Sequence, residues 1–154
     1  MHDLVHDLAR SVIGDELIVI DSAKKSNARQ LKYSRYALLR NFDGQTKLSN
    51  ILPKKVRALH FFSSSKVGLR DGSFSFTKCL RILDFSGCSG ILLPCCFGQL
   101  KQLRCLIAPK MENERLPDSV TELPKLQYLN LYGSSLISTL PELTNKLRCL
   151  VVLY

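Results

Sequence analysis

Tryptophan is absent from the 154 residues. Any core must therefore be built mainly from aliphatic side chains, and with 45% hydrophobic and 23% charged residues most of the chain should be globular. No stretch approaches the ~18 apolar residues of a membrane span. The first residues also lack the basic start and continuous apolar run of a signal peptide. Among the six cysteines (Cys79, Cys88, Cys95, Cys96, Cys105 and Cys149) no pair has C-x-x-C spacing and no histidine intervenes, which argues against a zinc ribbon or finger. Free thiols in a reducing compartment are the simpler reading, giving a cytoplasmic location with the nucleus as a second site. No G-x-x-x-x-G-K-[ST] phosphate loop occurs. No Ser/His/Asp set, paired carboxylates or glycine-rich loop converges in one place, so the expectation is that the chain is not an enzyme.

Acidic residues are scarce in one region. Between Ser22 and His60 stand ten basic residues (Lys24, Lys25, Arg29, Lys32, Arg35, Arg40, Lys47, Lys54, Lys55 and Arg57) against Asp43 alone. The chain's whole formal charge of +9 lies there, because basic and acidic residues balance in the remainder. Charge concentrated in this way implies a local acidic partner more than a generally basic protein. A nucleic-acid partner is disfavoured: the aromatics in this segment are few (Tyr33, Tyr36, Phe42), and no binding-fold pattern accompanies them.

What the sequence does contain is a repeat. The segments VRALHF from Val56, LRILDF from Leu80, LRCLIA from Leu103, LQYLNL from Leu126 and LRCLVV from Leu147 all approximate L-x-x-L-x-L, with starts 24, 23, 23 and 21 residues apart. Leu93-Pro94, Leu116-Pro117 and Leu140-Pro141 recur at matching offsets, followed by Phe97 with Leu100, Val120 with Leu123, and Leu143. A short strand alternates inward and outward side chains, turns, returns and advances one rung. Each rung buries its leucines only against its neighbours. Proline on the return side suits an extended or turning segment and opposes a regular helix. The fold class expected is α/β: a right-handed leucine-rich-repeat solenoid with a parallel β-sheet. The first repeat is the least regular, since SSSKVGLRDGSFSFTK has no Leu-Pro.

Upstream, Met1, Leu4, Val5, Leu8 and Val12 follow helical spacing and Gly14 offers a stop. ELIVID (16–21) reads as a short strand, SAKKSNARQLK as a polar linker, and RYALL (35–39) as a strand that extends the repeat sheet at its N-terminal edge. The division expected is a first unit over 1–21, a basic connector with a possible first sheet strand over 22–55, and about four and a half repeats over 56–154.

With MHDLVHDLA at the start and LRILDFSGCSGILLP in the repeats, the chain resembles plant intracellular immune receptors of the nucleotide-binding, leucine-rich-repeat class. Met1, His2 and Asp3 look like the M-H-D motif that ends their nucleotide-binding (NB-ARC) region. The resemblance implies that residues 1–21 are the C-terminal remnant of that region, a short helical piece of a winged-helix-like domain. It implies that His2, supported by Asp3, reaches the phosphates of bound ADP in a full receptor, where ADP or ATP is the nucleotide. It also implies a role in plant defence, by protein recognition and autoinhibition. This chain starts at the motif's own methionine and carries no phosphate loop. It is expected to be a fragment, a truncated product or a mis-started gene model, with no cofactor of its own. The alternative is a stand-alone leucine-rich-repeat scaffold without nucleotide switching.

His2 and His6 have the spacing of a zinc pair on one helix face, but Asp3 is shorter than the general-base Glu of such sites and no third ligand follows. A plain amphipathic helix with surface histidines is the bland reading. The second position of the rungs reads Arg57, Arg81, Arg104, Gln127 and Arg148. With rungs ~4.8 Å apart, the first three form a basic stripe. Stems covering apolar surface with heads in water would explain such a stripe equally well. Outward strand positions are expected at Ala58 and His60, Ile82 and Asp84, Cys105 and Ile107, Tyr128 and Asn130. The candidate partner-binding residues are therefore Arg57, His60, Arg81, Asp84, Arg104, Ile107, Tyr128 and Asn130. The partners expected are proteins: the acidic face of a nucleotide-binding module, a pathogen effector or a guarded host protein.

Overall fold

The computed structural model describes residues 16–21, 33–42, 44, 46–62, 64–95, 97–137 and 152–153. Its strands are β1 (Leu17–Asp21), β2 (Tyr36–Arg40), β3 (Ala58–Phe62), β4 (Val67–Gly68), β5 (Ile82–Asp84), β6 (Ile91–Leu92), β7 (Cys105–Ile107), β8 (Tyr128–Asn130) and β9 (Val152–Leu153). Two single-turn helices, α1 (Leu48–Ile51) and α2 (Asp118–Thr121), lie on return segments. Seven strands form one parallel sheet in the order β1-β2-β3-β5-β7-β8-β9. Strands β4 and β6 pair in parallel on the opposite side, and isolated bridges Ser64–Cys88 and Ile91–Met111 continue the stacking there. The chain is therefore a solenoid with a parallel sheet and little helix.

The period-2 alternation of the strands sets which side chains enter the core. Ile18, Ala37, Leu59, Leu83, Leu106 and Leu129 stand in one register across the sheet and are all buried. One step along each strand, Ile20, Leu39, Phe61 and Phe85 are buried as well. Phe61 stacks on Phe85 with ring centroids 4.6 Å apart and meets Phe42 edge-on at 5.6 Å. Each such side chain contributes ~1.5–3 kcal/mol of burial, available only because the next rung covers it.

The return segments close the core from the other side. Leu93 and Leu116 point inward beside their prolines, and Phe97, Val120, Leu100 and Leu123 follow. The first return lacks Leu-Pro yet does the same work with Val67, Leu69 and Phe74, and Phe74 meets Phe97 edge-on at 5.8 Å. Thr77 fills a buried position by donating its hydroxyl to the Phe74 carbonyl. Polar residues also join rungs at the turns after β3 and β8. The Ser64 hydroxyl accepts from the Phe42 amide at 3.2 Å, and Ser134 accepts from Met111 at 2.9 Å.

The strand expected over 35–39 joins the sheet as β2, paired with β3. Two features differ from the repeat as read in the sequence. First, the sheet reaches one strand further, because β1 pairs with β2 and brings in Leu17–Asp21. Second, β9 enters late. Tyr128 lies opposite Val152, whereas the repeat alignment would place Cys149 there. From β2 to β8 successive strands start 22 to 24 residues apart, and entry at Val152 continues that spacing at 24, whereas β1 and β2 start 19 apart. The M-H-D segment, the helical pattern over 1–14 and Arg148 lie outside the described residues. Among the described residues no helix is long and apolar enough to cross a membrane.

Candidate functional site

The position before each strand forms a hydrogen-bonded column. Arg35 donates its amide to the Glu16 carbonyl at 2.9 Å, Arg57 to Arg35 at 2.6 Å, Arg81 to Arg57 at 2.7 Å, Arg104 to Arg81 at 2.8 Å and Gln127 to Arg104 at 2.8 Å. From Arg35 to Arg104 each carbonyl also accepts from the first strand residue of the next rung, at 3.0–3.2 Å. Two amides on one carbonyl fix the column's register. Four arginines therefore recur at the sheet spacing of ~4.8 Å.

Electrostatically the column is nearly unopposed. The Arg35 guanidinium lies 3.5 Å from Glu16, with both side chains more than 40% exposed, so the pair contributes at most ~1 kcal/mol. Among the described residues Arg57, Arg81 and Arg104 have no carboxylate within ion-pair distance. Arg81 and Arg104 are exposed and Arg57 is half-buried.

Beside this column runs an apolar one. Tyr36, Ala58, Ile82, Cys105 and Tyr128 occupy one register position on the sheet's outer face, and none is fully buried. Ile82 is 43% exposed. Burial holds the Cys105 thiol above its ordinary pKa, and the Asp84 charge acts in the same sense, so Cys105 serves as a small apolar group and not as a thiolate.

The third column holds Leu38, His60, Asp84, Ile107 and Asn130. His60 Nδ1 lies 2.8 Å from Asp84 Oδ2 across adjacent strands. Asp84 Oδ1 accepts the Ser86 amide at 2.8 Å, and Asn130 Oδ1 accepts the Tyr132 amide at 2.9 Å. Both side chains thus shape the turn after their strand. Burial raises the Asp84 pKa, but the hydrogen bonds from His60 and Ser86 and the His60 charge outweigh it, holding the carboxyl below its ordinary value. The exposed Phe62 borders this column and lies under the Arg40 guanidinium, 5.5 Å from ring centroid to carbon.

All eight candidate partner-binding residues fall on these neighbouring columns. Arg57, Arg81 and Arg104 share the first; Tyr128 is in the second; His60, Asp84, Ile107 and Asn130 share the third. His2 and Asp3 lie outside the described residues. The structure adds Arg35, Glu16 and the Arg40–Phe62 pair. Arg35 was legible in principle, because SRYALL lies 22 residues before VRALHF and matches it position for position. Serine at the leading position concealed the match.

Elsewhere, an open depression of ≈ 340 Å³ lies between the returns after β2 and β3, lined by Lys47, Arg70, Asp71 and Ser75 over Phe42 and Leu69. Its charges partly offset one another. Among the described residues no buried side-chain nitrogen or oxygen lacks a partner, and no three His, Cys, Asp or Glu residues are grouped as metal ligands. Comparison with protein families, with curated proteins and with solved structures finds no match to this chain.

Proposed function

We propose that the chain is the leucine-rich-repeat recognition and autoinhibition part of a plant intracellular immune receptor of the nucleotide-binding class. The observation that carries this reading is the column Arg35–Arg57–Arg81–Arg104, fixed in register beside an outer sheet face with exposed apolar surface. Its function there is non-enzymatic: it clamps an acidic face of the receptor's nucleotide-binding module and keeps the receptor closed, leaving other outer positions for an effector or guarded host protein. The resemblance of Met1-His2-Asp3 to the M-H-D motif supports the receptor setting. In the full receptor His2 would donate to an ADP phosphate with Asp3 in support, and residues 1–21 would be the C-terminal remnant of the nucleotide-binding region, a short helical piece of a winged-helix-like domain.

One exposed ion pair of ~0.2–1 kcal/mol decides nothing, but several acting together shift a closed–open equilibrium by a few kcal/mol. The test is co-purification of this chain with the separately expressed nucleotide-binding module at low and high salt. Charge reversal of Arg57, Arg81 and Arg104 should release the module, and matching reversals on its acidic face should restore it. A scaffold that acts without nucleotide switching would ignore the module altogether.

A further inference from the structure

We propose that the element recognised by this face is an amphipathic α-helix lying across the strands, with an acidic stripe over the arginine column and an apolar stripe beside it. The inference rests on the reading above for its partner, but its geometry is independent of that reading. Arg35, Arg57, Arg81 and Arg104 span three strand intervals, ~14 Å at ~4.8 Å each. Acidic residues spaced i, i+4, i+7 and i+11 on a helix span ~16.5 Å at 1.5 Å per residue. The excess of ~2 Å over four contacts lies within the reach of an arginine side chain. An extended peptide repeats its same-side residues every ~6.7 Å and would overrun the column by ~6 Å. The rung spacing thus favours a helix.

The second column gives the helix its apolar contact. Residues one position on from each acid lie about 100° round the helix, a quarter turn from the acidic stripe. They would meet Ala58, Ile82, Cys105 and the Tyr128 ring, in the column adjoining the arginines. The third column limits how far acidic charge can spread round the helix. Asp84 stands beyond the apolar column, tied to His60 and the Ser86 amide. Acidic residues turned to that side would face a carboxylate instead of the guanidiniums. A helix of the same composition whose acids are scattered round its circumference is therefore disfavoured, whichever way it runs.

The test uses the full chain and two synthetic helical peptides of equal composition. The matched peptide carries Glu at i, i+4, i+7 and i+11 with Leu one residue on. The scattered peptide carries the same residues with Glu and Leu spread evenly round the helix, so that neither stripe forms. Fluorescence anisotropy measures binding and circular dichroism measures helix gained on binding. The matched peptide should bind at least about five-fold tighter than the scattered one and gain helix, and Arg81→Gln and Arg104→Gln should each weaken it roughly 1.5- to 5-fold. Equal binding of the two peptides, binding without gain of helix, or no binding overturns the proposal. So does displacement by a single-stranded oligonucleotide of equal charge at equal concentration, which would mean an unspecific basic patch. The comparison of peptides on the unaltered chain decides even if a variant misfolds. If both peptides fail while the nucleotide-binding module still co-purifies in a charge-dependent way, the helix inference falls and the clamp stands. If the matched peptide binds and the module does not, the reverse holds.

Discussion

His60 and Asp84, on adjacent strands of the sheet, form a direct contact of 2.8 Å between Nδ1 and Oδ2 on the outer face. Because Asp84 also holds the Ser86 amide, one carboxylate joins two rungs and shapes a turn. Its pKa is depressed in the fold, so the folded state binds a proton there less readily than the unfolded chain, whose carboxyl titrates near the ordinary 3.8. The stability it contributes is present above that value and is lost as pH falls through the lower folded pKa. Unfolding by urea followed from pH 6 to pH 2 should show a loss below about pH 4. Asp84→Asn keeps an acceptor for Ser86 but has no carboxyl to titrate, so it should flatten that limb. An unchanged acid limb would mean that other carboxylates cause it.

Gly87 sits where the turn after β5 passes the end of β3. A Cβ at Gly87 would lie 2.4 Å from the Phe61 carbonyl oxygen and 2.8 Å from the Phe62 Cα. Both obstacles are backbone, so Gly87→Ala should destabilise the chain by about 1–3 kcal/mol through overpacking. At Gly90 the nearest atom is the Glu112 side chain, which can swing away at the loss of its 2.6 Å pair with Lys66. Gly90→Ala should cost well under half as much in the same urea titration.

The same turn position recurs with a left-handed backbone at Asn41 (φ 52°), Lys110 (φ 55°) and Gly133 (φ 73°). Lysine there bears a steric penalty of roughly 1–2 kcal/mol, which glycine avoids at an entropic cost of about 0.5–1 kcal/mol. Lys110→Gly should therefore stabilise the chain modestly, raising the urea midpoint, and Gly133→Ala should lower it. Opposite signs would show that these turns relax out of the left-handed region.

Phe61 lies between Phe42 and Phe85 and is fully buried, whereas its neighbour Phe62 is exposed. Phe61→Ala should destabilise by about 3–5 kcal/mol. Phe62→Ala should change stability by no more than roughly 1 kcal/mol, the size of its contact with Arg40. Similar losses at both sites would contradict the assignment of faces along β3.

The parallel sheet, its inward leucines and its outward columns were legible because a solenoid repeats one local pattern, so Leu83, Leu106 and Leu129 announce each other. Legibility failed where a rung departs from the pattern but its neighbours still cover it. Ser34 takes the place of a leucine and is fully buried, so RYALL reads as a strand at the sheet's N-terminal edge but not as a rung with Arg35 in the arginine column. The return over 65–78 uses Val67, Leu69 and Phe74 where later rungs use Leu-Pro. The His60–Asp84 contact joins residues 24 apart in sequence and follows only once the strand register is known. The duties of Asp84 and Asn130 in their turns were hidden for the same reason.

The central claim is that the arginine column binds an acidic protein surface. It is tested most directly by the affinity of this chain for the nucleotide-binding module as a function of salt, with and without reversal of Arg57, Arg81 and Arg104 to Glu. Among the described residues these side chains have no internal carboxylate partner, so their contribution should appear in binding and not in folding. The account predicts that affinity falls steeply between 0.1 M and 1 M salt, as the screening length shrinks from ~10 Å to ~3 Å, and that reversal abolishes it at low salt. Binding that ignores both salt and charge reversal would show the contact to be apolar and the arginine column to be solvated surface.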